Sequence, residues 1–354
     1  MNIRYDIKPK KVELKNREGK TVSFCLRMFE EKDAKSVIDC IKEEYGDTYF
    51  KRDFYNADWL IKNAVGEHYV FFLAQSDDEI AGMTILTLFR DGEDYIEPAS
   101  QIIRKKYRGC GLSEALVYYV LPAAESMKPS SLFVHAVTFH DSTQTLCEAY
   151  GMVPVGFRLG SFLAEKMQNS YETGKCEKYS EGIMIKPVTK TDAGTIYVPV
   201  EIRDYTDKIY RRLNVNYNIV DSISEKTDKA VKALPDESMF GIKTDNDQRI
   251  VIIDTKQEGS DLADRMNDII RSFGDERSWV IQLTLDINSP AVCHLYDELK
   301  KIGFFFAGLK PLCGQKERMY MQWIGDTSLN MEEYVLTDSF DDIRHDIEKY
   351  MYGR

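Results

Sequence analysis

A strand–helix–strand unit that occurs twice constrains the fold of this chain more than any other feature. The first copy, LFVHAVTFHDSTQTLCEAYGMVPVGFRLG, covers residues 132–160, and the second, WVIQLTLDINSPAVCHLYDELKKIGFFFAGLKPL, covers residues 279–312. Each pattern predicts a strand, a polar turn, a helix closed by glycine, and a strand with an internal glycine. The second helix is longer by about one turn, roughly four residues. We interpret the pair as a diverged internal repeat.

The repeat and the length of 354 residues together predict two domains, at 1–190 and 191–354. In the first half, alternating residues around the turn NREG predict an N-terminal hairpin, and three later strands joined by acidic turns predict an antiparallel meander ending at residue 103. Periodic apolar residues predict helices at 30–46, 55–65, about 109–127 and 140–150, and the polar segment 164–180 is typical of an exposed loop. The predicted fold class is α/β of the α+β kind, with a mixed, mostly antiparallel sheet flanked by helices in each domain.

The second half shows a similar order of elements. Its pattern predicts a helix at 205–213, a hairpin at 239–255 and a helix at 262–273 before the second copy of the repeat. The tail from Asp326 ends in a short amphipathic helix. This tail either caps the second domain or mediates a homodimer, and the sequence leaves both open.

Charge and cysteine usage exclude several classes of function. A net charge of −11 and a pI near 5.2 disfavour a nucleic-acid partner and suit a cationic or amine-bearing substrate. The seven cysteines form no C-x-x-C pair, which argues against a zinc site and a disulfide framework and fits a reducing cytoplasm. The longest apolar run, ALVYYVLPAA, is too short for a membrane span and contains Pro122. We therefore expect a cytoplasmic protein with no metal and no membrane partner.

The stretch KKYRGCGLSEAL, at residues 105–116, predicts an anion site. A glycine-rich turn that leads from a strand into a helix directs unpaired backbone N–H groups and the positive end of the helix dipole at one point. Gly109 and Gly111 allow a ligand to approach the backbone, and Arg104, Lys105, Lys106 and Arg108 add positive charge. The alternative is an ordinary strand-to-helix turn with solvated basic residues. A nucleotide P-loop and a dinucleotide fingerprint are both excluded by the spacing.

These residues resemble the acyl-CoA signature of the GNAT N-acyltransferase superfamily, Arg/Gln-x-x-Gly-x-Gly/Ala. Arg108 to Ser113 match it with serine in the last place, and Leu116 corresponds to the leucine that anchors the helix. The resemblance extends over the first half of the chain and implies an acetyl-CoA co-substrate. The cofactor-binding residues that it implies are Ile102, Ile103, Arg104, Arg108, Gly109, Cys110, Gly111, Leu112 and Ser113, with an oxyanion donor among the backbone N–H groups near Ile102 or Ile103.

The same resemblance implies catalytic residues. Glu97 precedes Arg108 by 11 residues, a spacing at which some members place a catalytic glutamate, and it is the candidate base; a solvated strand-end carboxylate is the alternative. Cys147 stands where many members have the tyrosine that protonates the departing thiolate. Either Cys147 or Tyr150 is the candidate acid, and packing is the alternative for both. His135 and His140 are further titratable candidates.

In the second half the region corresponding to the cradle, DTKQEGSDLADR, has one glycine and several acidic residues. It would repel a pyrophosphate, so we interpret this half as a degenerate GNAT-like domain. The resemblance thus implies an N-acetyltransferase that acts on a primary amine of a small molecule or polypeptide. A non-catalytic acyl-CoA sensor is the alternative, and transfer of a larger acyl group is a third interpretation.

Overall fold

The computed structural model describes residues 5–47, 49, 51–77, 79–89, 94–167, 177–189, 192–221, 225–273, 277–311, 316–327 and 329–353. Among these, the residues up to Val134 form one unit and those from His135 onward form another. The sequence instead suggests a boundary between residues 190 and 191, which stays a prediction about where the two repeated halves meet. None of the described helices has the length and apolar content needed to cross a bilayer.

The first unit contains the predicted hairpin and meander. Its elements are β1 (Lys10–Lys15), β2 (Thr21–Met28), α1 (Ala34–Tyr45), α2 (Ala57–Asn63), β3 (Tyr69–Ser76), β4 (Glu79–Phe89), β5 (Tyr95–Ile103), α3 (Leu112–Ser126) and the first residues of β6 (Ser131–Val137). Strands β1 to β5 are antiparallel neighbours in chain order, and β6 joins β5 in parallel. The mixed, mostly antiparallel sheet flanked by helices is therefore confirmed.

Helices cover both faces of this first sheet, because successive strand residues point to opposite sides. On β3, Phe71 packs against Phe54, just before α2, with ring centroids 5.1 Å apart. The next residue, Phe72, packs against Tyr119 of α3 at 5.8 Å. The sheet consequently separates an α1/α2 side from an α3 side.

The second unit continues β6 and adds the rest of the chain. Its elements are α4 (Ser142–Ala149), β7 (Val153–Leu163), β8 (Lys178–Pro187), β9 (Asp192–Val198), α5 (Arg203–Leu213), β10 (Asn216–Asp221), α6 (Glu225–Lys232), β11 (Met239–Asp245), β12 (Ile250–Gln257), α7 (Leu262–Ser272), β13 (Val280–Asp286), α8 (Val292–Lys301), β14 (Phe305–Lys310), β15 (Arg318–Ile324) and α9 (Asp338–Tyr352). The order β8-β7-β14-β15-β13-β12-β11 forms its main sheet, and β9 pairs with β10 in a separate parallel pair.

Strand pairing follows the same pattern in the two halves. In the second half β11 and β12 are antiparallel, β12 and β13 are parallel, and β14 and β15 are antiparallel. In the first half β4 and β5 are antiparallel, β5 and β6 are parallel, and β7 and β8 are antiparallel. This shared pattern supports the interpretation of an internal repeat.

The C-terminal helix α9 packs on the sheet of its own unit. Phe340, Ile343 and Ile347 are fully buried, and the Phe340 ring lies 5.6 Å from that of Phe157 on β7. On the neighbouring strand, a Cβ at Gly182 would lie 2.3 Å from the Phe340 ring, so only glycine fits beneath this helix. The tail helix thus packs on strands of the predicted first half as well as on Phe306 of β14 in the second, and both roles, a cap on the second domain and a homodimer, stay predictions.

The prediction of an exposed loop at 164–180 is wrong for the last residues of this range. Lys178 and Ser180 lie on β8 and are fully buried. The Lys178 ammonium donates to three backbone carbonyls, those of Gln248 at 2.8 Å, Arg249 at 3.0 Å and Ser278 at 2.8 Å. Because each of its three protons has an acceptor, a charged side chain can lie inside a sheet that polarity alone would not predict.

Candidate functional site

A bulge interrupts β5 next to the predicted oxyanion donors. Ile102 lies opposite Met83 of β4 and Ala99 lies opposite Ile85, so Ser100 and Gln101 together lie opposite the single residue Thr84. Ser100 has a φ of 55°, a conformation that few residues other than glycine adopt. A bulge of this kind turns backbone groups away from the ladder.

The ladder between β5 and β6 is short. Among the described residues it consists of Tyr95 opposite Ser131 and Ile96 opposite Leu132. Beyond Ile96, alternate backbone positions of β5 face the side that β6 does not cover among the described residues, although Pro98, the first of them, has no N–H. Ile103 lies in this stretch, half-buried, whereas the side chain of Ile102 is buried in the α1/α2 core. The Arg104 N–H donates to the Ala81 carbonyl of β4 at 2.9 Å, so alternation directs the Ile102 N–H toward β4 and the Ile103 N–H toward the uncovered side. Of the two predicted donors, Ile103 is therefore the one with a spare backbone N–H.

The predicted cradle lies between β5 and α3. Gly109 and Gly111 have φ values of 77° and 83°, which glycine adopts without strain, and Gly111 directly precedes the first helical residue, Leu112. The helix therefore begins later than Gly109 or Cys110, where the sequence predicts its start. A Cβ at Gly111 would meet no described atom within 4 Å, so the space before the helix is open. The Leu112 side chain is buried and leaves only its backbone N–H for a ligand.

A side-chain bridge ties the bulge to the beginning of α3. The Ser113 hydroxyl donates to Gln101 Oε1 at 2.8 Å, and Gln101 Nε2 donates back to the Ser113 carbonyl at 3.2 Å. Gln101 Nε2 also donates to the Thr84 hydroxyl at 3.2 Å. Cys110 makes a local contact instead, with its thiol 3.0 Å from the Tyr107 carbonyl. The bridge fixes the spare backbone groups of β5 relative to the cradle.

Most basic side chains around the cradle pair with carboxylates. Arg104 contacts Glu43 of α1 at 2.9 Å, Arg108 contacts Glu44 of α1, and Lys106 contacts Glu79 of β4. Arg108 Nε also donates to the Ile103 carbonyl at 2.9 Å. A phosphate that enters the cradle must therefore compete with these carboxylates for the arginines.

Arg17 is a cation that sequence reasoning missed. It lies in the turn between β1 and β2, far from the cradle in sequence, and no described carboxylate lies within ion-pair distance of it. A Cβ at Gly109 would lie 2.5 Å from Arg17 Nε, so the guanidinium packs directly on this glycine. No pattern in the turn NREG indicates this contact, which arises from tertiary folding.

The candidate base, Glu97, is half-buried on the α1/α2 side of the sheet. It lies opposite Thr87 of β4, and Thr87 lies opposite Tyr69 of β3. Burial, and more weakly the Glu97 charge, raises the pKa of Tyr69. The Tyr49 hydroxyl lies 2.6 Å from the Ser100 hydroxyl, so the aromatic side chains of this face reach the bulge.

The two candidate acids lie together at the end of α4, in the second unit. Cys147 is buried, and this burial raises the pKa of its thiol to about 12. Tyr150 is half-buried, and the Lys186 ammonium lies 4.1 Å from the centroid of its ring. The histidines are also in this unit: His135 is on β6, and burial lowers the pKa of His140.

In the second half, side chains bridge the strands that correspond to β5 and β6. The described ladder between β12 and β13 ends at Ile253 opposite Leu283. There Arg318 of β15 contacts Asp254 at 3.0 Å, the Thr255 carbonyl at 2.5 Å and the Thr284 hydroxyl at 3.2 Å. Glu258 Oε1 accepts from the Asp286 backbone N–H at 2.9 Å, and burial raises its pKa. The chain's own side chains thus occupy the position that stays open beside β5.

The comparison with family models agrees with the family resemblance. Residues 34–151 match the family model described as acetyltransferase (GNAT) family. Solved structures that are similar include the ribosomal-protein-S18-alanine N-acetyltransferase of Escherichia coli, with 14% identity and a TM-score of 0.37 over 47% of this chain and 94% of that chain. A GNAT-family acetyltransferase of Streptococcus pneumoniae has 20% identity and a TM-score of 0.39 over 46% and 99%. A spermidine/spermine N-acetyltransferase of Vibrio cholerae has 15% and 0.38 over 47% and 92%. A search of curated protein sequences finds no match to this chain.

Proposed function

We propose that the protein transfers an acetyl group from acetyl-CoA to a primary amine, and the premise is that residues 34–151 match the acetyltransferase (GNAT) family model. The observation that carries the proposal is the continuous arrangement of bulge, side-chain bridge and glycine cradle along β5 and α3. Acyl transfer needs an anion site for the donor and a polarising N–H group at a fixed distance from it. Among the described residues, the first half has groups placed for both roles, whereas Arg318 and Glu258 bridge the corresponding strands of the second half.

The acyl donor would bind at the start of α3. The backbone N–H groups from Gly109 to Ser113 would hold its pyrophosphate, and Arg17, Arg104 and Arg108 would supply positive charge. The open space before Gly111 supports this assignment, since a bulky phosphate needs room at that point. When bound, acetyl-CoA supplies an activated thioester. A backbone N–H near Ile102 or Ile103 would polarise its carbonyl oxygen.

The chain's own residues would move the protons. The amine nitrogen attacks the thioester carbonyl carbon, Glu97 takes the proton that the nitrogen loses, and the carbon–sulfur bond breaks to release the CoA thiolate. We assign protonation of that thiolate to Tyr150 rather than Cys147. The burial of Cys147 supports this choice, because a thiol with a pKa of about 12 is a weak proton donor.

A binding protein without catalysis is the second candidate. The pairing of Arg104, Lys106 and Arg108 with carboxylates favours it, because a donor that releases these pairs would change contacts between the cradle and α1 or β4. Such a change could report donor binding to a partner. Turnover of acetyl-CoA with a panel of amines separates the two candidates, since a sensor binds the donor without consuming it.

The first experiment is calorimetric titration of acetyl-CoA into the wild type, Gly111→Glu and Gly194→Glu. Gly194, on β9, is a matched control because it has a φ of 67° and, like Gly111, no described atom within 4 Å of the point where a Cβ would lie. Both variants place glutamate at a positive φ and add the same charge. We expect micromolar binding to the wild type and to Gly194→Glu and none to Gly111→Glu. Absence of binding to the wild type, or equal loss in both variants, would contradict the assignment of the cradle.

A further inference from the structure

Three aromatic rings on the α1/α2 side of the first sheet form what we call the aromatic cage: Phe54, Trp59 and Tyr69. Their centroids are 5.5 Å apart for Phe54 and Trp59, 5.7 Å for Phe54 and Tyr69, and 5.6 Å for Trp59 and Tyr69. The Phe54 and Tyr69 planes meet at 85°. The two planes are thus nearly perpendicular, and the arrangement leaves a corner beside the two rings.

A lysine ammonium lies at this corner. Lys51 Nζ is 5.2 Å from the centroid of Phe54 and 5.5 Å from that of Tyr69. Both distances are within the range of about 6 Å at which an aromatic face attracts a cation. Because Lys51 is itself half-buried, the attraction is stronger than at a fully exposed site. The cage therefore already holds one primary alkylammonium group, supplied by the chain.

The cage lies on the same face of the sheet as Glu97. Tyr69, Thr87 and Glu97 are directly opposite one another on three adjacent strands, so their side chains project from the same side. Two strand spacings separate Tyr69 from Glu97, which is roughly 10 Å between Cα atoms. The charges of Asp53 and Glu97 both act on Tyr69. This negative surrounding favours a cation over a neutral or anionic group.

A cavity open to solvent borders the cage at Trp59 and Tyr69. It has a volume of about 510 Å³, and Trp59, Tyr69, Thr87 and Glu67 are among its lining residues. This volume is within the range typical of small-molecule sites, roughly 300 to 1,000 Å³. A ligand can thus approach two of the three cage rings from solvent.

We propose that the aromatic cage binds the ammonium group of the primary alkylamine acceptor, and that the Lys51 side chain occupies the cage until an acceptor displaces it. The assignment of this cation as the acceptor rests on the proposed acetyl transfer. Binding of the cation itself requires no acyl donor. Lys51 is then a built-in competitor, which sets the acceptor concentration at which the site fills.

The test is calorimetric titration of pentylammonium into the full chain without acetyl-CoA. This probe has the length and charge of a lysine side chain, and pentanol serves as its neutral counterpart. We compare the wild type with Lys51→Ala and with the matched control Lys42→Ala. The ammonium of Lys42 lies 5.9 Å from the centroid of the Tyr55 ring, outside the cage. We expect Lys51→Ala to bind pentylammonium about tenfold more tightly than the wild type does. Lys42→Ala should behave as the wild type, and pentanol should bind at least about tenfold more weakly.

Unchanged affinity in Lys51→Ala, or equal affinity for pentanol, would overturn the proposal. Substitutions of Tyr69 in the Lys51→Ala background test the ring itself: Tyr69→Leu should lose the gain, and Tyr69→Phe, which keeps the aromatic face, should retain it. Phe54 is unsuitable for this purpose because it is fully buried and its truncation would disturb the core.

A second arm distinguishes the two sources of a primary amine. Nα-acetyl-lysine methylamide presents the same ammonium from a polypeptide backbone, so tighter binding than pentylammonium indicates a lysine-bearing polypeptide and weaker binding indicates a free amine. The same titrations distinguish a failure of the proposed function from a failure of the proposed cation site. Loss of acetyl-CoA binding with intact pentylammonium binding would leave a cation site without acyl transfer, whereas acetyl-CoA binding without pentylammonium binding would leave the donor site alone.

Discussion

Gly156 on β7 and Gly308 on β14 lie opposite each other, at equivalent positions of the predicted internal repeat. Each follows by five residues the glycine that closes the preceding helix, Gly151 or Gly303. A Cβ on Gly156 would lie 2.5 Å from the Ala307 carbonyl oxygen, and one on Gly308 would lie 2.4 Å from the Gly156 Cα. The two halves therefore meet at a point that requires glycine on both sides.

Alanine at either position should destabilise the second unit. We expect Gly156→Ala and Gly308→Ala each to lower the free energy of unfolding by about 2–4 kcal/mol, because the backbones must separate. Gly241→Ala on β11 is the control, since its Cβ would meet no described atom within 4 Å, and its effect should stay within about 0.5 kcal/mol. Urea denaturation measures all three. The double variant should lose less than the sum, because one separation relieves both clashes.

Glu97→Gln tests the proposed base. The amide keeps the size of the side chain but cannot take the proton, so we expect kcat to fall by about 10² to 10⁴-fold with acetyl-CoA affinity unchanged. Glu67→Gln is the control, because this exposed carboxylate lines the cavity beside Tyr69 but lies outside β5. Turnover of acetyl-CoA with a saturating amine measures both. Full activity in Glu97→Gln would move the base to another group.

The two acid candidates predict different results. Cys147→Ala should lower the free energy of unfolding by about 1 kcal/mol, because it removes a buried side-chain atom, and should leave turnover within about twofold. Tyr150→Phe removes only the hydroxyl and should lower kcat about tenfold or more. Turnover of acetyl-CoA, measured at equal concentrations of folded protein, compares the variants. If Cys147→Ala alone abolished turnover, the assignment to Tyr150 would be wrong.

Because Lys178 is buried, we expect the free energy of unfolding to depend on pH. Burial lowers the pKa of Lys178 to about 7, from an ordinary value of 10.5 in the unfolded chain. Between these values the unfolded chain binds more protons than the folded chain, so the free energy of unfolding should rise with pH, by about 2 kcal/mol from pH 7 to pH 9. Below pH 7 both states carry the proton and this dependence ends.

Lys178→Met is the variant that isolates this effect. Methionine cannot titrate, so the rise between pH 7 and pH 9 should disappear. The overall free energy of unfolding should also fall, because three buried carbonyls lose their donor. Urea denaturation at several pH values measures both effects. An identical pH slope in wild type and variant would assign the dependence to other groups.

Arg17→Ala tests the cation that packs on Gly109. We expect a loss of about fivefold in acetyl-CoA affinity, equivalent to about 1 kcal/mol for one exposed charged contact. Lys20→Ala, in the same turn but paired with Glu18 at 2.9 Å, should bind as the wild type does. Calorimetry compares the two. Equal losses would indicate a general effect of charge rather than a contact.

The sequence predicts those parts of the fold that local patterns determine. The hairpin, the meander, the helices and the cradle glycines follow from periodicity and from residues that favour positive φ. Strand β8 does not follow, because Lys178 is polar in sequence and its three acceptors come from distant turns. Neither does the pairing of β7 with β14, since a pattern within one strand does not specify which neighbour it will meet.

The candidate site shows the same limit. Gly109 and Gly111 are recognisable from spacing, whereas the bulge at Ser100 has no signal of its own and depends on how β5 pairs with β4. The basic residues of the loop are visible in the sequence, but their carboxylate partners on α1 are not, because these depend on helix placement. Lys51 is similarly undetectable as the occupant of a cage, since its rings come from three separate segments.

The glycine contact between β7 and β14 determines how the chain can be divided. Strand β7 is an interior strand only because β14 covers one of its sides, and Gln322 of β15 adds two hydrogen bonds to the backbone of Leu159, at 2.9 Å and 3.1 Å. A chain cut between residues 190 and 191 would leave that edge of β7 uncovered. Uncovered strand edges pair with other chains and aggregate. The first repeat would thus lose its solubility without the second, even if every residue of the donor site were present.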